Sequence, residues 1–258
     1  MVQHVGPMTL SVEMRRHSAA HLLAAAVQRL FPQAKFGVGP VVDHGFYYDL
    51  DIGRPLTVED VQACERMMRT IFQEDPLFLR EEWPLDEAIA KFQELGQPFK
   101  VELLQDLKAK GTTAVNDAAD AFEAGNVSSV SVYKTGDFLD LCRGPHVEHA
   151  NQVGAFKLTK VAGAYWRGKE TNPQLQRVYG LCFATQEELD AHMQMLVEAE
   201  KRDHKKLGPE LDLFVFSDLV GSGLPLWTPK GTLVRNLLDA FVWELRAKHG
   251  YARVEIPH

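Results

Sequence analysis

The sequence predicts an α+β fold, in which hairpin-like strands pack with helices. Three observations predict it. Residues 11–31 are rich in Ala and Leu and contain no Gly or Pro. Residues 35–50 switch to short apolar runs broken by Gly and Pro. Between Asp137 and Gly180, strand-like runs alternate with the turn segments RGP, GAYWRG and TNPQ. The first pattern is that of a helix; the other two are those of strands joined by turns.

The elements follow in order. SVEMRRHSAAHLLAAAVQRLF, residues 11–31, predicts a helix that stops before Pro32, with Leu22, Leu23, Ala26, Val27 and Leu30 towards the core. KFGVGPVVDHGFYYDL predicts two strands with a turn near Asp43, His44 and Gly45. Thr57, with Glu59 and Asp60 behind it, opens a second helix that Pro76 ends. LFLREEWP reads as a strand, and LDEAIAKFQELG as a short helix closed by Gly96. Residues 98–104 (PFKVELL) and 127–134 (VSSVSVYK) both alternate like strands. KGTTAVNDAADAFEAGN between them reads as a surface loop or short helix.

TQEELDAHMQMLVEAEKRDHKKLG predicts one long, charged linker helix, capped by Thr185 and stopped by Gly208. Beyond it a strand, a Gly/Pro loop and another helix begin a new unit. The expected division is therefore 1–184, a linker at 185–207, and 208–258. No internal repeat is evident.

Composition narrows the function classes. A chain of 258 residues, 45 % hydrophobic and 24 % charged, is ordinary globular material for one large or two average domains. A net charge of -7 means that any nucleic-acid site must be a local basic patch on an acidic body. Three cysteines, Cys64, Cys142 and Cys182, are no disulfide framework and suit a reducing compartment. The first residues lack a basic segment followed by an apolar run, and no stretch approaches the roughly 18 apolar residues of a membrane span. The expectation is a cytoplasmic protein.

Two residue pairs carry chemistry. His17 and His21 are i and i+4 on the first helix, so their imidazoles share one face about a turn apart. Cys142 and His146, in DLCRGPHVEH, are also four apart. Together they offer three nitrogens and one sulfur, a plausible tetrahedral zinc set, or an open catalytic set if one ligand stays off. An i,i+4 histidine pair alone arises often by chance, and a lone cysteine is most often a small buried hydrophobe. Ser18 stands where a zincin would hold its glutamate, so a metalloprotease would lack its general base.

RHSAAHLL, GVGPVVDHGFYYD, PFKVELL, LDLCRGPHV, KLTKVAGAYWRG and LQRVYG, in that order, resemble the amino-terminal editing region of the threonyl-tRNA synthetases. Related segments occur in alanyl-tRNA synthetases and in free-standing alanyl-tRNA editing proteins. The resemblance covers nearly the whole chain from Arg16. It implies an editing domain with an antiparallel sheet and helices, whose second half spans about 130–180. The linker helix and the start of a class II synthetase core would follow, cut at motif 1 around Pro257. It implies that a small amino-terminal domain is missing and that this chain is a fragment. The ATP, magnesium, catalytic zinc and homodimer of the full enzyme would then rest on segments beyond it.

For the site, the resemblance implies that His17, His21, Cys142 and His146 line a pocket that hydrolyses mischarged Ser-tRNA(Thr). It implies Lys100 as a pocket lysine and Tyr48 and Asp140 as further polar residues. Without it, Lys100 reads as a solvated strand lysine, Tyr48 as a core aromatic and Asp140 as a turn or cap residue. The alanyl relatives use the four positions for zinc, whereas the threonyl branch points to metal-free hydrolysis by a positioned water. The expectation here is metal-free catalysis at a site able to accept zinc. Arg143, Lys157, Lys160, Arg167, Arg177 and the KRDHKK run are candidates for tRNA phosphates. Two other functions fit the same residues: a free-standing trans-editing deacylase, and a non-catalytic, zinc-stabilised tRNA-binding module.

Overall fold

The computed structural model describes residues 10–111, 128–221 and 223–255. The chain divides into two compact units, Met1–Asp190 and Ala191–His258.

The first unit begins with α1, Val12–Leu30, capped by Ser11, whose hydroxyl accepts the Met14 N–H. From His17 to Val27 every residue of α1 is buried. Its Ala-rich centre lets neighbours approach on all sides, so the helix is a core rod and not an amphipathic surface helix. Leu30 packs at the edge of the same core.

Three strands follow: β1 (Lys35–Phe36), β2 (Val41–Val42) and β3 (Gly45–Asp51). His44, at φ 62°, makes the turn between β2 and β3. Helix α2, Val58–Glu74, starts with a capping box between Thr57 and Asp60 and ends at Asp75, before Pro76. Then come β4 (Phe78–Pro84), α3 (Leu85–Glu94), α4 (Pro98–Lys110), β5 (Ser129–Thr135) and β6 (Phe138–Leu141). The unit's last strands are β7 (Ala155–Tyr165) and β8 (Gln174–Phe183).

All the pairings are antiparallel. One sheet runs β1-β3-β8-β7, with β2 also on β3; the other runs β4-β5-β6. The described residues form two cores. The five-stranded sheet, α1 and α2 enclose Leu22, Leu23, Val27, Phe46, Tyr48, Leu50, Met68 and Ile71. The three-stranded sheet, α3 and α4 enclose Phe92, Leu104, Leu107 and Val132, joined by Trp166. The α+β expectation therefore stands.

Two expectations are corrected. Residues 98–104 are not a strand but the first half of α4. Phe99, Lys100, Leu103, Leu104 and Leu107 are all buried, a helical spacing that alternation in a seven-residue window conceals. Pro98 sits in the first turn, and Gly111 takes the left-handed cap at φ 70°. The long helix at 185–208 is also two helices, α5 (Gln186–Lys201) and α6 (His204–Glu210). The Asp203 side chain accepts the Lys205 N–H and starts the second one. Gly208 does not stop it; a Cβ there would lie 2.3 Å from the Phe214 ring, so this glycine admits a close contact. The segment 112–127, expected as a surface loop or short helix, lies outside the described residues, as does Pro257.

In the second unit, α6 is followed by the antiparallel pair β9 (Phe214–Val215) and β10 (Leu226–Trp227), and by α7 (Pro229–Ala247). Thr228 caps α7 through the Gly231 N–H. Leu226, Trp227, Leu237, Leu238 and Phe241 are exposed, an apolar surface with few partners. Among the described residues no helix is long and apolar enough to cross a membrane.

Candidate active site

The site is assembled from four elements of the first unit. Helix α1 supplies His17 and His21, one turn apart. The end of β6 and the segment after it supply Asp140, Cys142 and His146. Strand β3 supplies Tyr48, and α4 supplies Lys100. All seven are buried, His17 being the most open at 8 %.

The structure brings the two pairs together. One ligand atom from each of His17, His21, Cys142 and His146 lies within 4.8 Å of the other three. Cys142 Sγ is 3.2 Å from both His17 Nε2 and His146 Nε2. The Gly144 N–H also donates to that sulfur, at 3.3 Å. Gly144 must be glycine: its φ is 73°, and a Cβ would lie 2.2 Å from the Tyr133 hydroxyl oxygen. The His146 ring is held by Phe78, stacked at 5.3 Å, and Tyr133, edge-on at 4.4 Å.

A second polar cluster adjoins the first. Lys100 Nζ lies 2.5 Å from Asp140 Oδ1 and donates to the Tyr48 hydroxyl oxygen at 3.2 Å. The Tyr48 hydroxyl donates to Asp140 Oδ2 at 2.5 Å. His21 Nε2 is 3.5 Å from that same oxygen and links the two clusters. Lys100 is thus a buried ion-pair partner and not a solvated strand lysine.

Burial sets the protonation states. It pushes the His21 imidazole down to about 3; Asp140 offsets part of this, while His17 and Lys100 add to it. Burial, followed by the neighbouring His21 and His17, holds His146 well below the usual histidine range. Both rings are therefore neutral at pH 7, the form that accepts a proton or binds a metal. The donor set fits a metal ion: three imidazoles and a thiol of tetrahedral-zinc type. His21 Nδ1, buried and without a hydrogen bond among the described residues, supports the fit.

Four of the other sequence candidates have partners elsewhere in the first unit. Arg177 pairs with Asp49 at 2.7 Å and lies over the Tyr47 ring, and Lys157 pairs with Glu65 at 3.2 Å. Lys160 sits over Tyr179, and Arg167 pairs with Glu102 and Asp106. Arg143 is exposed. Sequence reasoning missed Ser18 as a functional candidate, weighing it only as a replaced glutamate. A polar residue inside an Ala-rich helix, next to a candidate ligand, was the available signal.

Three buried imidazoles and a thiol beside a Lys-Asp-Tyr group, on an antiparallel α+β frame, define a compact polar site suited to metal binding or hydrolysis. Comparison with known proteins agrees with a module of tRNA synthetases. Residues 130–179 match the family described as the threonyl and alanyl tRNA synthetase second additional domain. Nearly the whole chain is related to threonine--tRNA ligases. The protein of that name from Gloeobacter violaceus is 48 % identical over 94 % of this chain and 36 % of its own length. That from Citrifermentans bemidjiense is 46 % identical over 93 % of this chain and 35 % of its own length. That from Anoxybacillus flavithermus is 44 % identical over 97 % and 36 %. The chain thus spans about a third of the length of these relatives.

Proposed function

We propose that the first unit hydrolyses the ester of serine wrongly attached to tRNA(Thr). The longer protein to which it is related would join threonine to that tRNA at the expense of ATP. The observation that carries the reading is the convergence of His17, His21, Cys142 and His146 beside Asp140, Lys100 and Tyr48.

Such an activity answers a physical problem. Serine lacks one methyl of threonine, and a missing methyl is worth only about 1–3 kcal/mol in binding. A second site that admits serine and collides with the extra methyl discriminates by overlap, the stronger device. Ester hydrolysis then needs a water whose proton has somewhere to go, and donors for the developing oxyanion. Neutral imidazoles beside Cys142 can take the proton. The Lys100 ammonium, joined to the cluster through Asp140 and His21, is the cation beside them, and the Gly144 N–H is a backbone donor there. A zinc ion held by three of His17, His21, Cys142 and His146, with its fourth position left open, would supply a Lewis acid for the water; held by all four it would be structural.

In this reading the division 1–184, 185–207 and 208–258 separates an editing domain, a linker and the start of a class II core. A cytoplasmic homodimer that binds tRNA is the expected whole. The near-complete burial of the cluster favours one rival, a zinc-stabilised tRNA-binding module without catalysis. Incubation with Ser-tRNA(Thr) and Thr-tRNA(Thr) separates them. Release of serine, sparing of threonine, and loss of most activity in Cys142→Ala and in His17→Ala are expected. Serine release that survives both substitutions together would end the proposal.

A further inference from the structure

We infer that Ser18 is a positioning residue: it fixes which nitrogen of His146 carries the ring proton and so directs the Cys142 thiol proton towards His17. Ser18 is fully buried on α1, one residue after His17. Among the described residues its hydroxyl has two partners. The Val147 N–H donates to Oγ at 3.0 Å, and His146 Nδ1 lies at 3.0 Å.

The two partners differ in kind. A backbone amide only donates, so Val147 occupies a lone pair of Oγ. The hydroxyl has one proton of its own, and His146 Nδ1 is the acceptor within reach. If Nδ1 carried the ring proton, Oγ would accept twice and its own proton would be buried without an acceptor. That loss disfavours the alternative tautomer by roughly tenfold or more. The network therefore assigns Nδ1 as acceptor and places the proton of the neutral ring on Nε2.

The consequence passes to the sulfur. His146 Nε2 is 3.2 Å from Cys142 Sγ, so the sulfur accepts from His146 as well as from the Gly144 N–H. His17 Nε2, also at 3.2 Å, is an acceptor within reach of the thiol proton. The hydrogen bonds then run in one direction: Val147, Ser18, His146, Cys142, His17. His17 is the most exposed of the four cluster residues. Ser18 touches no substrate; it acts through His146.

The test uses the full chain with 15N-labelled histidine, a chelator present, at one neutral pH. Long-range 1H–15N correlation, with His146 assigned by the His146→Gln variant, reads the tautomer directly. A pyrrole-like Nε2 and a pyridine-like Nδ1 are expected for His146. The reverse pattern in the parent protein overturns the inference, whatever the variants do. Ser18→Ala should shift both His146 signals towards a tautomer mixture, and Ser18→Thr should restore them. An unchanged His146 pattern in Ser18→Ala also overturns it. The effect on hydrolysis rests on the proposed editing reaction: Ser18→Ala should lower kcat for Ser-tRNA(Thr) roughly tenfold at similar KM. A parent chain with the expected spectrum but no deacylation would remove the editing reading and leave the role of Ser18 standing.

Discussion

Replacing Lys100 by Met should be among the costliest single changes that leave the apolar core intact. The Lys100 and Asp140 side chains are 4 % and 3 % exposed, with Nζ 2.5 Å from Oδ1. Without the ammonium, the Asp140 carboxylate keeps only the Tyr48 hydroxyl and the more distant His21 Nε2 as polar partners in this cluster. Removing one member of a buried pair costs roughly 3–5 kcal/mol, a third or more of the stability of many domains. Asp140→Asn should cost a similar amount, since it strands the cation instead. The double variant Lys100→Met/Asp140→Asn carries neither charge, and its amide oxygen can still accept from Tyr48. It should lose only about 1–3 kcal/mol, far less than the sum of the single changes. Urea unfolding of all four proteins at pH 7, with slopes compared before midpoints, gives the coupling energy. Strict additivity would show that the two charges do not share a dry environment, and the description of this cluster would be wrong.

Acid should destabilise the protein through the buried imidazoles. His21 binds its proton only near pH 3 when folded, but near its ordinary value of 6.5 when unfolded, so the unfolded chain holds more protons between these limits. Stability therefore falls as pH drops below 6.5 and goes on falling to about 3, by about 2 kcal/mol at pH 5 from His21 alone. His146 acts in the same direction. Unfolding at pH 7 and pH 5 measures the drop, and a His21→Asn variant with an unreduced drop would refute the cause. Gly144→Ala should cost about 2–4 kcal/mol, from a side chain in the left-handed region and from overlap with Tyr133. Tyr133→Phe in that background should recover part of the loss in thermal melts; an undisturbed melt for Gly144→Ala contradicts the geometry. Limited trypsin digestion should cut first within 200–225, where Lys201, Arg202, Lys205 and Lys206 are exposed or partly exposed around the break before Asp203. Equal resistance of this stretch and the body before it would count against that expectation.

Much of this architecture was readable because single residues punctuate it. Thr57 and Thr185 cap helices through their own hydroxyls, and Pro32 and Pro76 follow helix ends. Such signals are local, and local physics decides them. Residues 98–104 misled because Phe99, Val101 and Leu103 satisfy a period of two, while only the longer run to Leu107 exposes the helical period. The break at Asp203 was hidden for the opposite reason. Exposed, charged residues give no periodicity, so one competing side chain decided the matter. In the site, each four-residue pair was visible in the sequence, but their meeting depends on how β6 lies beside α1. The burial of Lys100 and the hydroxyl of Ser18 under His146 depend on neighbours more than 30 residues away.

The rod-like burial of α1 has a consequence for how this site can change. His17 and His21 stand on a helix closed in on every side, where a shift of even a few tenths of an ångström meets close-packed atoms. Cys142, Gly144 and His146 arrive on a connecting segment outside helix and strand, yet Cys142 and His146 are buried and Gly144 lies against Tyr133. Half of the constellation is therefore an anvil, and the other half a clasp pinned by the rings around it. Anyone redesigning the cluster for another ion or another ester should leave the helix alone and change residues 142–146 together with Phe78 and Tyr133, the rings that hold His146.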